Sequence, residues 1–147
     1  MQRKTAIFIV ILTFCSALAW GRKEDSLEQL KARVEHGSTD EKISSCLEIS
    51  ERQLTALDQL YTAGNADQAK TALDDIVMYT EKGRDLSVAS GKKLKPMEIS
   101  TRKIVHRLRD IKRTLAFDDQ PPLDAAIDGL ERVRTDLLSK MFAKGEK

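Results

Sequence analysis

Apolar residues recur every three or four positions along most of this chain, and that spacing predicts five amphipathic helices and no strand. The intervening positions are mostly charged or polar, so each helix has one apolar face that it must bury against a neighbour. The predicted helices cover approximately residues 25–35, 38–61, 66–90, 96–116 and 122–142. Short connections favour antiparallel neighbours, and the expected fold is an all-α, antiparallel helical bundle of four to five helices.

Residues at the predicted helix ends support these boundaries. Gly37 ends the first helix, and residues 38–41 (Ser-Thr-Asp-Glu) have the form of a capping box that begins the second. Gly64 suits a left-handed residue at the end of the second helix, and Asn65 is expected to cap the third. Pro96 is expected to begin the fourth helix, because proline is accepted in a first turn and not inside a helix.

Residues 60–69 resemble the turn of a tetratricopeptide hairpin, in which Gly-Asn or Gly-Asp followed by a small packing residue joins two antiparallel helices. Leu73 and Ile76 lie where that motif packs its second helix. Gln53 stands near the position of the motif's early aromatic residue, and no second copy follows about 34 residues later. The resemblance implies one helical hairpin and does not imply a peptide-binding array.

Residues 1–19 are predicted to form an export signal, and residues 20–147 a single helical domain. Arg3 and Lys4 precede an apolar stretch, and residues 17–19 (Ala-Leu-Ala) provide a site for signal peptidase. The expected location is therefore the periplasm or the exterior of the cell. No membrane span is expected after cleavage.

Two alternatives to a cleaved signal depend on the same residues. A retained membrane anchor would use residues 5–20, which are fewer than the ~20 apolar residues of a spanning helix. A lipoprotein signal would use Cys15, but Phe14 is a bulky residue where small residues normally precede the lipidated cysteine. Cleavage leaves Cys46 as the only cysteine, so no internal disulfide is possible. Cys46 is expected to pack as an apolar residue, and the alternatives are an intermolecular disulfide or a reactive thiol.

Charge is distributed unevenly. Residues 22–91 contain 9 Lys and Arg against 14 Asp and Glu, a net of −5, whereas residues 92–147 contain 14 against 9, a net of +5. Nine of these basic residues lie between positions 92 and 113. At 100° per residue, Arg102, His106, Arg109 and Arg113 form one stripe of the fourth helix.

Lys103 and Arg107 belong to the same basic surface, and the opposite face carries apolar residues (Met97, Ile104, Leu108, Ile111 and Leu115). The cations have two possible uses. They pair with carboxylates across the bundle, for which the candidates are Glu48, Glu51, Asp58, Asp74, Asp75 and Glu81. Otherwise they bind an external anion, since guanidinium groups recognise phosphate and carboxylate bidentately.

No motif for nucleophilic, metal-dependent or phosphate-binding chemistry is present, and we predict no catalytic residue, metal or cofactor. Nucleic acid is not expected as a partner, because the exported chain would be nearly neutral and aromatic residues do not alternate with the basic ones. The sequence therefore favours a non-catalytic envelope protein that binds a protein partner or associates with itself through helix faces. The alternative is binding to lipid headgroups or an acidic polysaccharide through residues 92–113.

Overall fold

A computed structural model describes residues 24–143, and its fold is the predicted all-α helical bundle. The helices are α1 (Leu27–His36), α2 (Thr39–Thr62), α3 (Ala66–Ser90), α4 (Leu94–Thr114) and α5 (Pro121–Ala143). A 3₁₀ turn, Phe117–Asp119, precedes α5. The predicted export signal lies outside the described residues.

Two capping boxes begin the first two helices. The predicted box before α2 is confirmed, since Glu41 Oε2 accepts a hydrogen bond of 2.8 Å from the Ser38 backbone N–H. Ser26 and Gln29 form an equivalent box before α1 that the apolar spacing alone did not indicate.

The turn from α2 to α3 contains one confirmed prediction and one that is wrong. Gly64 has the expected left-handed conformation, with φ +76°. Asn65 lies at the capping position, but its side chain makes no capping hydrogen bond. Its backbone, at φ −90° and ψ 66°, departs from the extended conformation in which a capping side chain reaches back to the first amides.

The fourth helix begins two residues before Pro96. Lys93, in the left-handed region at φ 52°, ends the turn, and Pro96 is the third residue of α4. A proline is tolerated there because backbone N–H groups in a first turn have no partner within the helix.

Consecutive helices are antiparallel, and alternate helices are parallel. Ser50 Oγ lies 3.1 Å from Thr80 Oγ, and Gln53 Nε2 lies 2.8 Å from Asp75 Oδ2, so α2 and α3 run in opposite directions. Between α2 and α4, Ser100 Oγ donates to Glu51 at 2.9 Å and Arg107 donates to Asp58 at 2.5 Å. Both pairs are 49 residues apart, which requires parallel helices in a fixed register.

The core contains three apolar clusters. The largest joins α2, α3, α4 and α5 and includes Leu57, Ile76, Leu108 and Leu130. A second, at the other end of the bundle, includes Met97 and Leu137 on α4 and α5. The third cluster lies beneath α1.

The first helix covers the groove between α2 and α3. Its apolar residues Leu30 and Val34 are buried against Cys46, Ile49 and Tyr79. Because Cys46 is fully buried, its packing agrees with the prediction of an apolar role.

The apolar spacing of the fifth helix predicts a buried stripe that continues through Phe142, and this prediction is wrong for its last residue. Phe142 is 72% exposed. It lies one residue beyond Met141, which packs against the end cluster, and one residue turns a helix by about 100°. Its side chain therefore points away from the core.

We predict that the Cys46 thiol is inert in the folded protein. Burial raises its pKa to about 11, so at pH 8 only about one thiol in a thousand is the reactive thiolate. A Cys15→Ser chain should react with a disulfide reagent at pH 8 only after guanidinium unfolds it. Each unfolded chain should then release one equivalent of the reagent's own thiol. Equal labelling rates with and without guanidinium would contradict this burial.

Candidate binding surfaces

The predicted basic surface of α4 is on the outside of the bundle. All six of its residues are exposed (Arg102, Lys103, His106, Arg107, Arg109 and Arg113). The opposite face is buried as expected at Met97, Ile104, Leu108 and Ile111, and Leu115 is half-buried. The structure therefore has the predicted polar and apolar faces. The cations of the polar face differ in their ion pairs.

A network of five alternating charges crosses from α4 to α5 and includes Arg102 and Arg109. Glu98 is 8% exposed and accepts from the Arg134 guanidinium at 3.0 and 3.2 Å. Arg134 also donates to Glu131 at 2.9 Å, and Glu131 accepts from Arg109 at 2.8 Å. Arg102 lies 3.8 Å from Glu98 at the other end.

Arg134 is the central cation of this network. Burial alone would lower the pKa of its guanidinium, but the hydrogen bonds that it donates to the carboxylates of Glu98 and Glu131 outweigh burial and raise that pKa. Arg102 and Arg109 are therefore the outer members of a structural network that joins two helices.

Two further cations of α4 also pair with neighbouring helices. Arg107 pairs with Asp58 of α2, and Lys112 pairs with Asp124 of α5. These contacts fix the register of α4 against both neighbours, although each partly exposed pair contributes only ~0–1 kcal/mol.

The remaining cations of this basic surface face outward. His106 and Arg113 each lie 3.2 Å from Asp110 of the same helix, and they are 79% and 77% exposed in their side chains. Lys103 has no ion pair with any residue between 24 and 143. Arg102, Lys103, His106 and Arg113 thus form the outward part of the predicted surface.

The expected carboxylate partners were mostly wrong. Of the six proposed, only Asp58 pairs with an arginine of α4. Glu51 accepts from Ser100, and Asp75 pairs with Lys31 of α1 at 3.8 Å. Glu131 and Glu98 take their place, because α5 lies directly beside α4 and brings its own carboxylate and arginine within reach.

A second surface, which the sequence did not single out, is the groove between α3 and α5. It encloses about 460 Å³. Apolar side chains line it (Leu73, Val77, Met78, Pro122, Ala125 and Ala126), and three charged residues border it (Lys70, Asp74 and Glu81). The apolar spacing of α3 predicts that Val77 is buried, but it is only partly buried, because it lies at the edge of this groove.

Unpaired charge lies beside the apolar lining of this groove. Within residues 24–143, Lys70, Asp74 and Glu81 form no ion pair, whereas most cations of α4 have one. Met78, between Asp74 and Glu81, is 49% exposed. The sequence signal for this surface is the pair of consecutive apolar residues Val77 and Met78. Met78 lies one position beyond the buried face of α3.

A third concavity, of about 620 Å³, follows along the same two helices. Arg84 of α3 donates to Asp136 of α5 at 2.8 Å across it and also pairs with Asp85. Its arginine and both aspartates are therefore already paired, and of its charged residues only Lys140 has no ion pair within residues 24–143, so it offers fewer unpaired charges to a ligand than the α3–α5 groove does.

The described residues contain no group of three or more His, Cys, Asp or Glu side chains that could hold a metal ion. Between positions 24 and 143, no helix has an apolar run of the length needed to cross a membrane. No protein-family profile, curated protein or solved structure matches the chain.

We predict that Arg134→Met destabilises the bundle by about 1–3 kcal/mol, because it leaves Glu98 nearly buried without its guanidinium partner. Arg113→Met is the matched control, and it should change the free energy of unfolding by less than about 0.5 kcal/mol, because its pair with Asp110 is exposed. Urea unfolding followed by circular dichroism measures both. Equal effects would show that the network does not join α4 to α5.

Proposed function

We propose that this chain is an exported, non-catalytic helical protein of the periplasm or cell envelope that acts by binding another protein. The observation that carries the proposal is the α3–α5 groove, an apolar strip that no described element covers. The neighbouring groove between α2 and α3 is covered by α1. A groove with an apolar floor and charged edges can bind a helix of another protein.

The polar groups of the bundle support binding more than catalysis. Acid–base chemistry needs titratable groups that converge in a cavity and have pKa values shifted apart. The α3–α5 groove has one charged wall, with Lys70, Asp74 and Glu81 all on α3, and an apolar opposite wall on α5. Such a surface suits an elongated apolar ligand with charges along one edge.

Site-specific photocrosslinking in the organism that makes this protein tests the proposal. A benzophenone amino acid at position 78 should give one discrete protein adduct in the envelope fraction, because Met78 lies in the groove. The same group at Thr55, an exposed residue of α2, should not give that adduct. Identical adducts at both positions, or none at position 78, would contradict protein binding at the groove.

A second candidate function is binding to an anionic surface through α4. It is favoured by the outward cations Arg102, Lys103, His106 and Arg113, of which Lys103 has no ion pair within the described range. Exported proteins meet anionic lipid headgroups and acidic polysaccharides, and both would attract these cations. The carboxylates of Glu98 and Asp110 reduce this attraction, so we rank it second.

We predict that, if α4 binds anionic surfaces, the protein sediments with vesicles containing 30% phosphatidylglycerol at low salt and is released by about 0.3 M NaCl, because screening weakens exposed charge interactions. Arg102→Gln with Lys103→Gln should abolish this sedimentation. Arg107→Gln with Arg109→Gln is the control of equal charge, since those residues already pair with Asp58 and Glu131. Equal sedimentation with neutral vesicles would rule out this function.

A further inference from the structure

We infer that the ligand of the α3–α5 groove is an amphipathic α-helix of the partner protein, about three turns long, with Lys or Arg beside its apolar face. The inference rests on the proposed protein-binding function and names the chemistry of the partner. The pattern of covered and uncovered grooves, the unpaired charges and the dimensions of the groove each support it.

The way α1 covers the adjacent groove shows what fits between two helices of this bundle. Leu27, Leu30 and Val34 occupy positions i, i+3 and i+7 of α1 and pack against α2 and α3. Lys31 and Glu35, beside that apolar face, pair with Asp75 and Lys82 of α3. A ten-residue amphipathic helix, fixed by apolar side chains and by charges at its edge, therefore covers one side of α3.

The opposite side of α3 has the same features without the covering helix. Leu73, Val77 and Met78 provide the apolar contacts, and Asp74, adjacent in sequence to the Asp75 that pairs with α1, has no partner among residues 24–143. Glu81, also unpaired there, lies seven residues further along. A helix with lysine or arginine at its edge would pair with both carboxylates, and this is helix-in-groove recognition.

The length of the groove gives the length of the ligand. The lining of α3 extends from Lys70 to Glu81, eleven residue steps or about 16 Å at 1.5 Å per residue. A partner helix of about eleven residues spans that distance, and α1, with ten residues, is of similar length.

A second copy of this chain fits the same groove less well. A symmetric dimer centred on the groove would pack α3 antiparallel to its copy, which brings Lys70 of one copy towards Glu81 of the other and leaves Asp74 opposite the apolar Val77. A basic helix pairs with both carboxylates, so the charges favour it over self-association.

Selection from a phage-displayed library of helical fourteen-residue peptides tests the inference, with the folded protein as bait. Enriched peptides should share apolar residues at i, i+3 or i+4, and i+7, together with Lys or Arg beside them. Met78→Asp should weaken their binding about thirtyfold, the fold-change of a hot-spot residue. Ala125→Glu, on the exposed wall of α5, should weaken binding to a similar extent. Because it lies on the other helix, it shows whether the loss of binding by Met78→Asp comes from the groove or from local misfolding of α3.

Charge reversal tests the edge of the groove separately. Asp74→Lys with Glu81→Lys should weaken binding about tenfold at low salt, with a smaller effect at high salt. Glu24→Lys with Glu28→Lys changes the net charge by the same amount on exposed residues at the beginning of α1 and should leave binding unchanged.

Three results would overturn the inference. They are failure to enrich any helical peptide, enrichment of acidic peptides, and enriched peptides that bind Met78→Asp as tightly as the unmodified chain. If crosslinking at position 78 still gives a partner adduct in any of these cases, the proposed protein-binding function stands and only the helical, basic ligand is wrong. If crosslinking also fails, both are wrong.

Discussion

The close contact between α2 and α3 is the constraint on which the rest of the bundle depends. It is made by small residues: Cys46 and Ser50 on α2 face Gly83 and Thr80 on α3. A Cβ atom added at Gly83 would lie 3.0 Å from the Met97 side chain and 3.3 Å from the Cβ of Cys46. Both distances are shorter than an ordinary van der Waals contact, so even alanine at position 83 requires α2 or the Met97 side chain to move by a few tenths of an ångström.

Three polar contacts at a regular spacing set the register of α4 along α2. Lys93 donates to Ser44, Ser100 to Glu51, and Arg107 to Asp58. Each successive pair lies seven residues further along both helices, and a seven-residue repeat is the geometry of nearly parallel, supercoiled helices. The arginines of α4 therefore contact both neighbouring helices: Arg107 pairs with Asp58 of α2, and Arg109 pairs with Glu131 of α5.

Much of the fold could be predicted from the sequence, because it depends on local signals. The spacing of apolar residues, the capping box at Ser38 and the left-handed Gly64 each act within one helix or one turn. The two failures within single elements arise where residue type does not determine the local backbone conformation or the side of the helix. Asn65 is a residue type that often caps helices, but its backbone conformation does not allow it to cap α3. Phe142 is as hydrophobic as a core residue, but it lies on the exposed side of α5.

The candidate sites were less predictable because they depend on contacts between residues that are distant in the sequence. Helical periodicity places Arg102 and Arg109 on the outside of α4, but it contains no information about which helix lies next to them. Arg134, the cation that joins them through Glu98 and Glu131, is 25 residues beyond Arg109 and belongs to another helix. The groove between α3 and α5 was missed because it forms only when two faces from separate helices are placed side by side.

The pairing of charges changes what the uneven charge distribution means. In the sequence, the basic second half suggests the binding surface and the acidic first half its internal counterpart. In the fold, most cations of α4 pair within the bundle, with carboxylates that come mainly from α4 itself and from α5. The carboxylates of α3 at Asp74 and Glu81 then stand without partners in the described range, next to exposed apolar side chains. Since unpaired charge beside apolar surface directs recognition more than charge that is already neutralised, the acidic half of the chain has the stronger case for contacting a partner.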